Sequence, residues 1–198
     1  MTDSEQAPAR RGRPRSEAAR LAILQTTEQL LEDVGFDALT IEDVAQVAGV
    51  GKATIYRRWP TKGLLVFEAF GKEFLLQQPP PDTGTLRGDL LAALRGWIRT
   101  VNGTVAGRTL AGLIAEVQRD PALGDAWRDR FVRPVRDQHR MLVARGIGRG
   151  ELSPRADPEV LLDLVFGPAY HRLLQSHLPL DDYFAQAVID VIISGAGS

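Results

Sequence analysis

Between Thr40 and Pro60 the chain carries the punctuation of two very short helices joined by one tight turn. Thr40-Ile41-Glu42-Asp43 has the form of a capping box, in which the threonine hydroxyl and the aspartate carboxylate satisfy amides left free at a helix start. The helix it opens is predicted to stop at Ala48, because Gly49 supplies the left-handed residue that closes a helix. A second helix is predicted from Lys52 to Trp59, where Pro60 ends it. Helices this short do not hold together alone in water, so both must pack on something else. The residues for that packing stand in register. Ala45 is small enough for a close helix crossing, Val44, Val50 and Ile55 anchor the turn from both sides, and Gly49 tolerates the positive φ between them. Lys52, Thr54, Tyr56 and Arg57 are then left to face outward, a set able to reach phosphates and base edges in a major groove.

The rest of the chain reads as helix. Ile23, Leu24, Thr27, Leu30, Leu31 and Val34 form one apolar stripe at helical spacing, starting from Ser16 and stopped by Gly35. Thr61 can cap a fourth helix that runs through Leu64, Leu65, Phe67, Phe70 and Phe74 towards Gln78. Pro79 to Gly84 holds three consecutive prolines and makes a linker. Helices follow near Leu86 to Asn102, Arg108 to Arg119, Ala122 to Arg145, Pro158 to Gln175 and Asp181 to Ser194, and Pro134 should kink or split the third of these. The expected fold is all-α with about nine helices. Residues 1–15 form a disordered basic arm, 16–78 a helix-turn-helix domain with its connecting helix, and 79–198 a regulatory and dimerisation domain.

Over 198 residues the formal net charge is only -1, so overall charge announces no nucleic-acid partner. The charges are nonetheless sorted. Five arginines and one acid lie between Arg10 and Arg20, six acids and no cation between Leu21 and Gly51, and Lys52, Arg57, Arg58 and Lys62 with no acid between Gly51 and Gly63. Two basic islands bracketing an acidic stretch suggest a localised anion-binding face. The absence of cysteine excludes thiol catalysis, disulfides and Cys-ligated zinc, and three scattered histidines give no metal spacing. No cofactor is expected. No apolar run approaches a membrane span and the Arg-rich start lacks the apolar core of a signal peptide, so a cytoplasmic protein without membrane contact is expected.

The stretch Gly35-Phe36-Asp37-Ala38-Leu39-Thr40-Ile41-Glu42-Asp43-Val44-Ala45, with Gly49-Val50-Gly51-Lys52-Ala53-Thr54-Ile55-Tyr56-Arg57-Arg58-Trp59-Pro60-Thr61-Lys62, resembles the DNA-binding signature of the TetR family of transcriptional regulators. The resemblance implies that Thr40, the segment holding Lys52, Ala53, Thr54, Tyr56 and Arg57, and Lys62 contact DNA, with Tyr56 and Lys62 on phosphates. The family usually has an acidic residue where this chain has Gly63. Trp59 reads as a packing residue at the junction with the fourth helix, whereas Tyr56 is open to either role. The arm Arg10-Arg11-Gly12-Arg13-Pro14-Arg15 resembles the Arg-Gly-Arg-Pro core of minor-groove hooks, which would put Arg11, Arg13 and Arg15 in a narrow A·T-rich groove. A solvated tail that only raises nonspecific affinity is the other reading of those residues.

A small helical reader generally works in pairs on half-sites about one helical turn of DNA apart, so a homodimer on an inverted-repeat operator is expected. The helices around Leu161, Val165 and Leu173, and around Phe184, Val188 and Val191, are apolar on more than one face and are expected to form the dimer interface. Arg149-Gly150-Glu151-Leu152-Ser153-Pro154 through Leu164-Val165-Phe166-Gly167-Pro168 also resembles the C-terminal domain of one branch of the family, which implies a ligand cavity. Trp97, Val101, Leu113, Val117, Phe131, Val135 and Tyr170 are its candidate lining, with plain core packing as the alternative for each. His139 and His171 are candidates for a polar ligand group. No nucleophile with its base, paired carboxylates or phosphate loop supports an enzyme; Gly146-Ile147-Gly148-Arg149-Gly150 follows a helix and lacks the strand of a nucleotide fingerprint. The function expected is a sequence-specific transcriptional regulator, a repressor released from its operator by a small-molecule effector, with a ligand-independent architectural DNA-binding protein as the alternative.

Overall fold

The computed structural model describes the backbone of residues 13–75 and 80–196. Among the described residues there are ten α-helices and one π-helical turn, and no strand. Helix α1 spans Arg13–Ala38, α2 Ile41–Val47, α3 Lys52–Tyr56, α4 Lys62–Leu75 and α5 Leu86–Val101. Then come α6 Val105–Val117, α7 Pro121–Trp127, the π turn Arg128–Val132, α8 Arg133–Gly148, α9 Pro158–Gln175 and α10 Asp182–Ala196. Helix α1 begins three residues before Ser16. Gly35 does interrupt it, at φ 79° and ψ 174°, and a short helical turn follows to Ala38. Ile23, Leu24, Thr27 and Leu31 of its stripe are buried, whereas Val34 is exposed.

Pro134 falls inside the long helix expected from Ala122 to Arg145, which runs as helical backbone from Pro121 to Gly148 through a π turn at Arg128–Val132. A proline nitrogen has no hydrogen to give to the carbonyl four residues back. The chain widens before it, so that the Arg133 amide donates to the Arg128 carbonyl, five residues away. The extra residue of this π turn rotates Phe131 into the middle of the protein, where it is buried.

Helix α1 packs on α4 and α6, so the N-terminal helices sit directly on the C-terminal ones. Two close approaches make this possible. A Cβ on Gly63 would lie 2.6 Å from Leu123 Cδ2, and one on Gly112 would lie 2.4 Å from the Phe36 ring. At Gly63, α4 runs against α7 too closely to leave room for a side chain. Thr61 caps α4, its hydroxyl oxygen accepting from the Leu64 amide at 3.3 Å and its proton going to Asp120 Oδ2 at 3.1 Å. In the C-terminal half, α5 is central and packs on α6, α8, α9 and α10. Its buried Asp89 accepts from the Thr83 amide and hydroxyl and from Arg149, pinning the Pro-rich linker to the end of α8.

Candidate nucleic-acid interface and central chamber

The turn between α2 and α3 is set by hydrogen bonds that the sequence foreshadows. At its start, the Thr40 side chain accepts from the Asp43 amide at 3.1 Å and donates to Asp43 Oδ2 at 2.6 Å. At its end, the Val50 amide reaches Ala45 O at 3.0 Å and the Gly49 amide reaches Gln46 O at 3.3 Å, with Gly49 at φ 65°. This is a Schellman closure, and it turns the chain so that α3 crosses α2. Val44, Ala45 and Ile55 are buried at the crossing and Val50 half-buried.

With those anchors inside, Lys52, Ala53, Tyr56 and Arg57 of the second helix are exposed, as is Thr40 ahead of the first, and Thr54 is half-buried. Lys52 Nζ meets Glu42 Oε1 of α2 at 2.8 Å, both side chains being more than half exposed. The hydrogen bond from Lys52 lowers the Glu42 pKa and the same bond raises that of Lys52. Trp59 is 2% exposed and donates from Nε1 to Glu68 at 2.8 Å; Glu68 also binds Arg20 of α1 at 2.8 Å. Trp59 is thus a packing residue that ties the end of the reader to α4 and α1.

Lys62 is turned inward. Its Nζ donates to Phe36 O at 2.9 Å and lies 4.5 Å from the centre of the Phe36 ring. That position fastens the start of α4 to the end of α1. Arg11 lies outside the described residues, and so do the side chains of Arg13 and Arg15, whose backbone belongs to α1.

Within the C-terminal half a chamber of about 210 Å³ opens between α5, α6, α7, α8 and α9. Trp97, Phe131, Val135 and Tyr170, four of the seven residues expected to line a cavity, do so. The other three do not. Val101 and Leu113 are buried in the core and Val117 packs beside it, and Val101 lines a separate groove with Arg172, Leu173 and Leu174 of α9. The sequence reading missed Ile114, Trp127, Val132 and Arg136, and Leu162 and Phe166. Spacing held a signal for them. Leu162, Phe166 and Tyr170 recur every four residues on α9, and Phe131, Val135 and His139 do so across the π turn into α8.

His139 also lines the chamber, 4.6 Å from the Phe166 ring, and burial together with the nearby Arg136 charge pushes its pKa down to about 4. Trp97 and Tyr170 stand 4.9 Å apart, and burial raises the pKa of the Tyr170 phenol. His171 is exposed instead, with its ring 5.0 Å from that of His177. A wider groove of about 630 Å³ shares Trp97, Phe131, Val135, His139 and Tyr170 and opens beside Pro80 and Pro81.

The outer faces of α9 and α10, and the loop between them, carry exposed apolar side chains among polar ones. Val160, Leu164, Leu174, Leu178, Tyr183 and Val191 are all exposed, Tyr183 by 81% and Val191 by 74%. Of the residues expected at a dimer interface, only Val191 lies on this surface. Leu161, Val165 and Phe184 are buried within the protomer and Leu173 and Val188 are half-buried against its core, one helical step round from the exposed stripe. Arg95 and Arg87 of α5 hold α10 in place through Asp182 at 2.5 Å and Asp190 at 2.6 Å. Among the described residues no helix is long and apolar enough to cross a membrane.

A capped helix closed by a Schellman turn onto a second helix with an exposed basic face, on a helical body with an aromatic chamber, defines a helix-turn-helix transcriptional regulator. Residues 23–69 match the family of bacterial regulatory proteins named tetR, and residues 80–192 match the tetracyclin repressor-like C-terminal domain. The chain belongs to the TetR family. The uncharacterized HTH-type transcriptional regulator YdeS of Bacillus subtilis is 35% identical over 181 residues, covering 91% of each chain. The DNA-binding transcriptional repressor TetR of Mycobacteroides abscessus is 31% identical over 180 residues, 90% of this chain and 94% of its own. The crystal structure of the TetR family transcription regulator SCO0332 is 36% identical, with a TM-score of 0.72 over 89% of this chain and 97% of that one.

Proposed function

We propose that this protein is a cytoplasmic repressor that binds an inverted-repeat operator as a homodimer and leaves it when a small molecule occupies the central chamber. The observation that carries the release mechanism is a shared wall: Trp127 lines the chamber, and its ring stands 5.7 Å from that of Phe67 on α4. Helix α4 is the support of the reader, through Trp59 and Glu68. Close packing leaves no slack along that line, so a ligand that displaces Trp127 must displace α4. The ligand lowers operator affinity by the difference between its affinities for the two arrangements and by no more.

In this reading Lys52, Ala53, Thr54, Tyr56 and Arg57 enter the major groove, and Thr40 meets the backbone at the amide-rich start of α2. The arm with Arg11, Arg13 and Arg15 adds contacts in the flanking minor groove. The exposed stripe of α9 and α10 meets its copy across a twofold axis, since exposed apolar side chains grouped on a regular pair of helices mark an association site. The relative from Mycobacteroides abscessus, a repressor by name, supports repression as the sign.

The test is a competition for DNA. The protein is offered a duplex library of about 40 base pairs, roughly four helical turns, in excess random DNA, and the retained duplexes are sequenced. Enrichment of an inverted repeat is the expected result. Retention without sequence preference would replace the operator binder by an architectural protein.

A further inference from the structure

We propose that the chamber is built for an uncharged, planar aromatic compound of one or two rings that carries a hydroxyl group, held between His139 and Tyr170. The inference rests on the reading of this chamber as the effector site and adds the class of molecule.

Size comes first. A cavity of about 150 Å³ with apolar walls holds a benzene ring, so about 210 Å³ has room for that ring and a little more. The walls match a flat aromatic body. Trp97 tilts against Tyr170, Trp127 lies 4.3 Å from Phe131 at 35°, and His139 lies against Phe166 at 34°, so rings face the space from α5, α7, the π turn, α8 and α9. Offset and tilted ring contacts of this kind favour an aromatic guest over an aliphatic one of equal area.

Charge decides the rest. The one formally charged group at the chamber is Arg136, and its charge is already paired with two carboxylates: Nε donates to Glu159 at 2.5 Å, Nη1 to Asp163 at 2.7 Å and Nη2 to the Glu159 carbonyl at 3.0 Å. An anionic guest therefore finds no free counter-charge, and would lose its hydration without replacement. A cationic guest finds no carboxylate among the lining residues and meets the Arg136 charge, which is close enough to act on both His139 and Tyr170.

Two neutral polar groups remain. Neutral imidazole offers one donor and one acceptor, and no described residue hydrogen-bonds to the ring nitrogens of His139. The Tyr170 phenol, packed against Trp97 on the chamber wall, has a proton to donate. A guest hydroxyl completes the chain by accepting from Tyr170 and donating to His139. Burial raises the Tyr170 pKa, so the phenol keeps the proton that this arrangement needs.

The test uses the full-length protein and four probes at neutral pH in isothermal titration calorimetry: 2-naphthol, naphthalene, 2-naphthoate and protonated 2-naphthylmethylamine. 2-Naphthol is expected to bind at least about tenfold more tightly than either ion, the usual scale of a buried charge left unpaired. His139→Leu and Tyr170→Phe are expected to weaken 2-naphthol by about tenfold while leaving naphthalene within about twofold, a difference that mere structural damage would not produce. Val135→Trp, which fills the chamber, should abolish binding of both. Equal or tighter binding of 2-naphthoate, or equal losses for naphthalene and 2-naphthol in the variants, would overturn the assignment. A parallel titration on operator DNA separates the two readings. 2-Naphthol bound in this pattern without loss of operator affinity supports the ligand class and sinks the release mechanism, whereas release by 2-naphthoate alone overturns the class and keeps the mechanism.

Discussion

Trp127 lines the chamber and also packs against Phe67 of α4, at a centroid separation of 5.7 Å and an interplanar angle of 51°. One indole is thus shared between the space a ligand enters and the helix that supports the DNA reader. Phe67→Leu keeps an apolar residue and removes the ring contact, at a cost of about 1–2 kcal/mol. Operator affinity and ligand affinity are expected to stay within about threefold of the parent, while the ligand-induced loss of operator affinity shrinks by about fivefold or more, the scale of one coupling interaction. Fluorescence anisotropy of an operator duplex with and without ligand reads both; an undiminished ligand effect would show that the signal takes another path.

Arg57 is exposed on the reader and Lys52 is held by Glu42 at 2.8 Å. Arg57→Ala should lower operator affinity by about tenfold or more, the scale of one base-reading contact. Glu42→Gln should act oppositely, raising affinity a few-fold and steepening the salt dependence, because it frees Lys52 for a phosphate and removes a like charge from the DNA face. Weaker binding by Glu42→Gln in a salt titration would mean that Glu42 positions Lys52 and does not compete for it.

Gly63 touches Leu123 so closely that a methyl group there would stand 2.6 Å from Cδ2. Gly63→Ala is expected to cost about 1–3 kcal/mol by overpacking, although alanine alone would favour the helix. Thermal melts of the two single variants and of the double variant with Leu123→Ala test the cause. The Gly63→Ala penalty should fall to near zero once Leu123 is shortened, and an unchanged penalty would place the strain elsewhere.

Tyr183 and Leu164 are exposed on the outer faces of α10 and α9 by 81% and 54%. Leu164→Arg combined with Tyr183→Asp should give a monomer in sedimentation, with unchanged helix content by circular dichroism and operator affinity lost by two orders of magnitude or about that, since two half-sites no longer act together. A variant that still sediments as a dimer would move the interface off this stripe.

Burial and the Arg136 charge hold the His139 pKa at about 4, well below its usual 6.5, with Tyr170 and Phe166 as the other groups against it on α9. The folded protein therefore binds fewer protons than the unfolded chain between those values. Stability from this group is complete above about pH 6.5 and is lost as pH falls towards 4, with a slope of up to about 1.4 kcal/mol per pH unit. Urea melts of the parent and of His139→Gln across that window should diverge, the variant showing the flatter profile. Parallel profiles would show that His139 takes up its proton in the folded state.

The sequence by itself determined the local architecture of the reader. Thr40, Asp43 and Gly49 act through hydrogen bonds to backbone a few residues away, and Val44, Ala45 and Ile55 meet across one short turn, so neighbouring residues suffice to specify the geometry. Pro134 disturbed its helix for the same reason, since a missing amide hydrogen is a local fact. Only the tertiary structure decided which apolar stripe faces what. Periodicity shows that α9 is apolar on more than one side, but not that Leu161 and Val165 turn inward while Val160 and Leu164 turn out. Nor does it show that Val101 and Leu113 face core while Trp127 and His139 face a chamber, or that Lys62 bends back onto Phe36. Those outcomes depend on where helices distant in sequence cross, and burial rewards apolar area in any of these directions equally. The crossing geometry, through close approaches such as Gly63 on Leu123 and Gly112 on Phe36, chose among them.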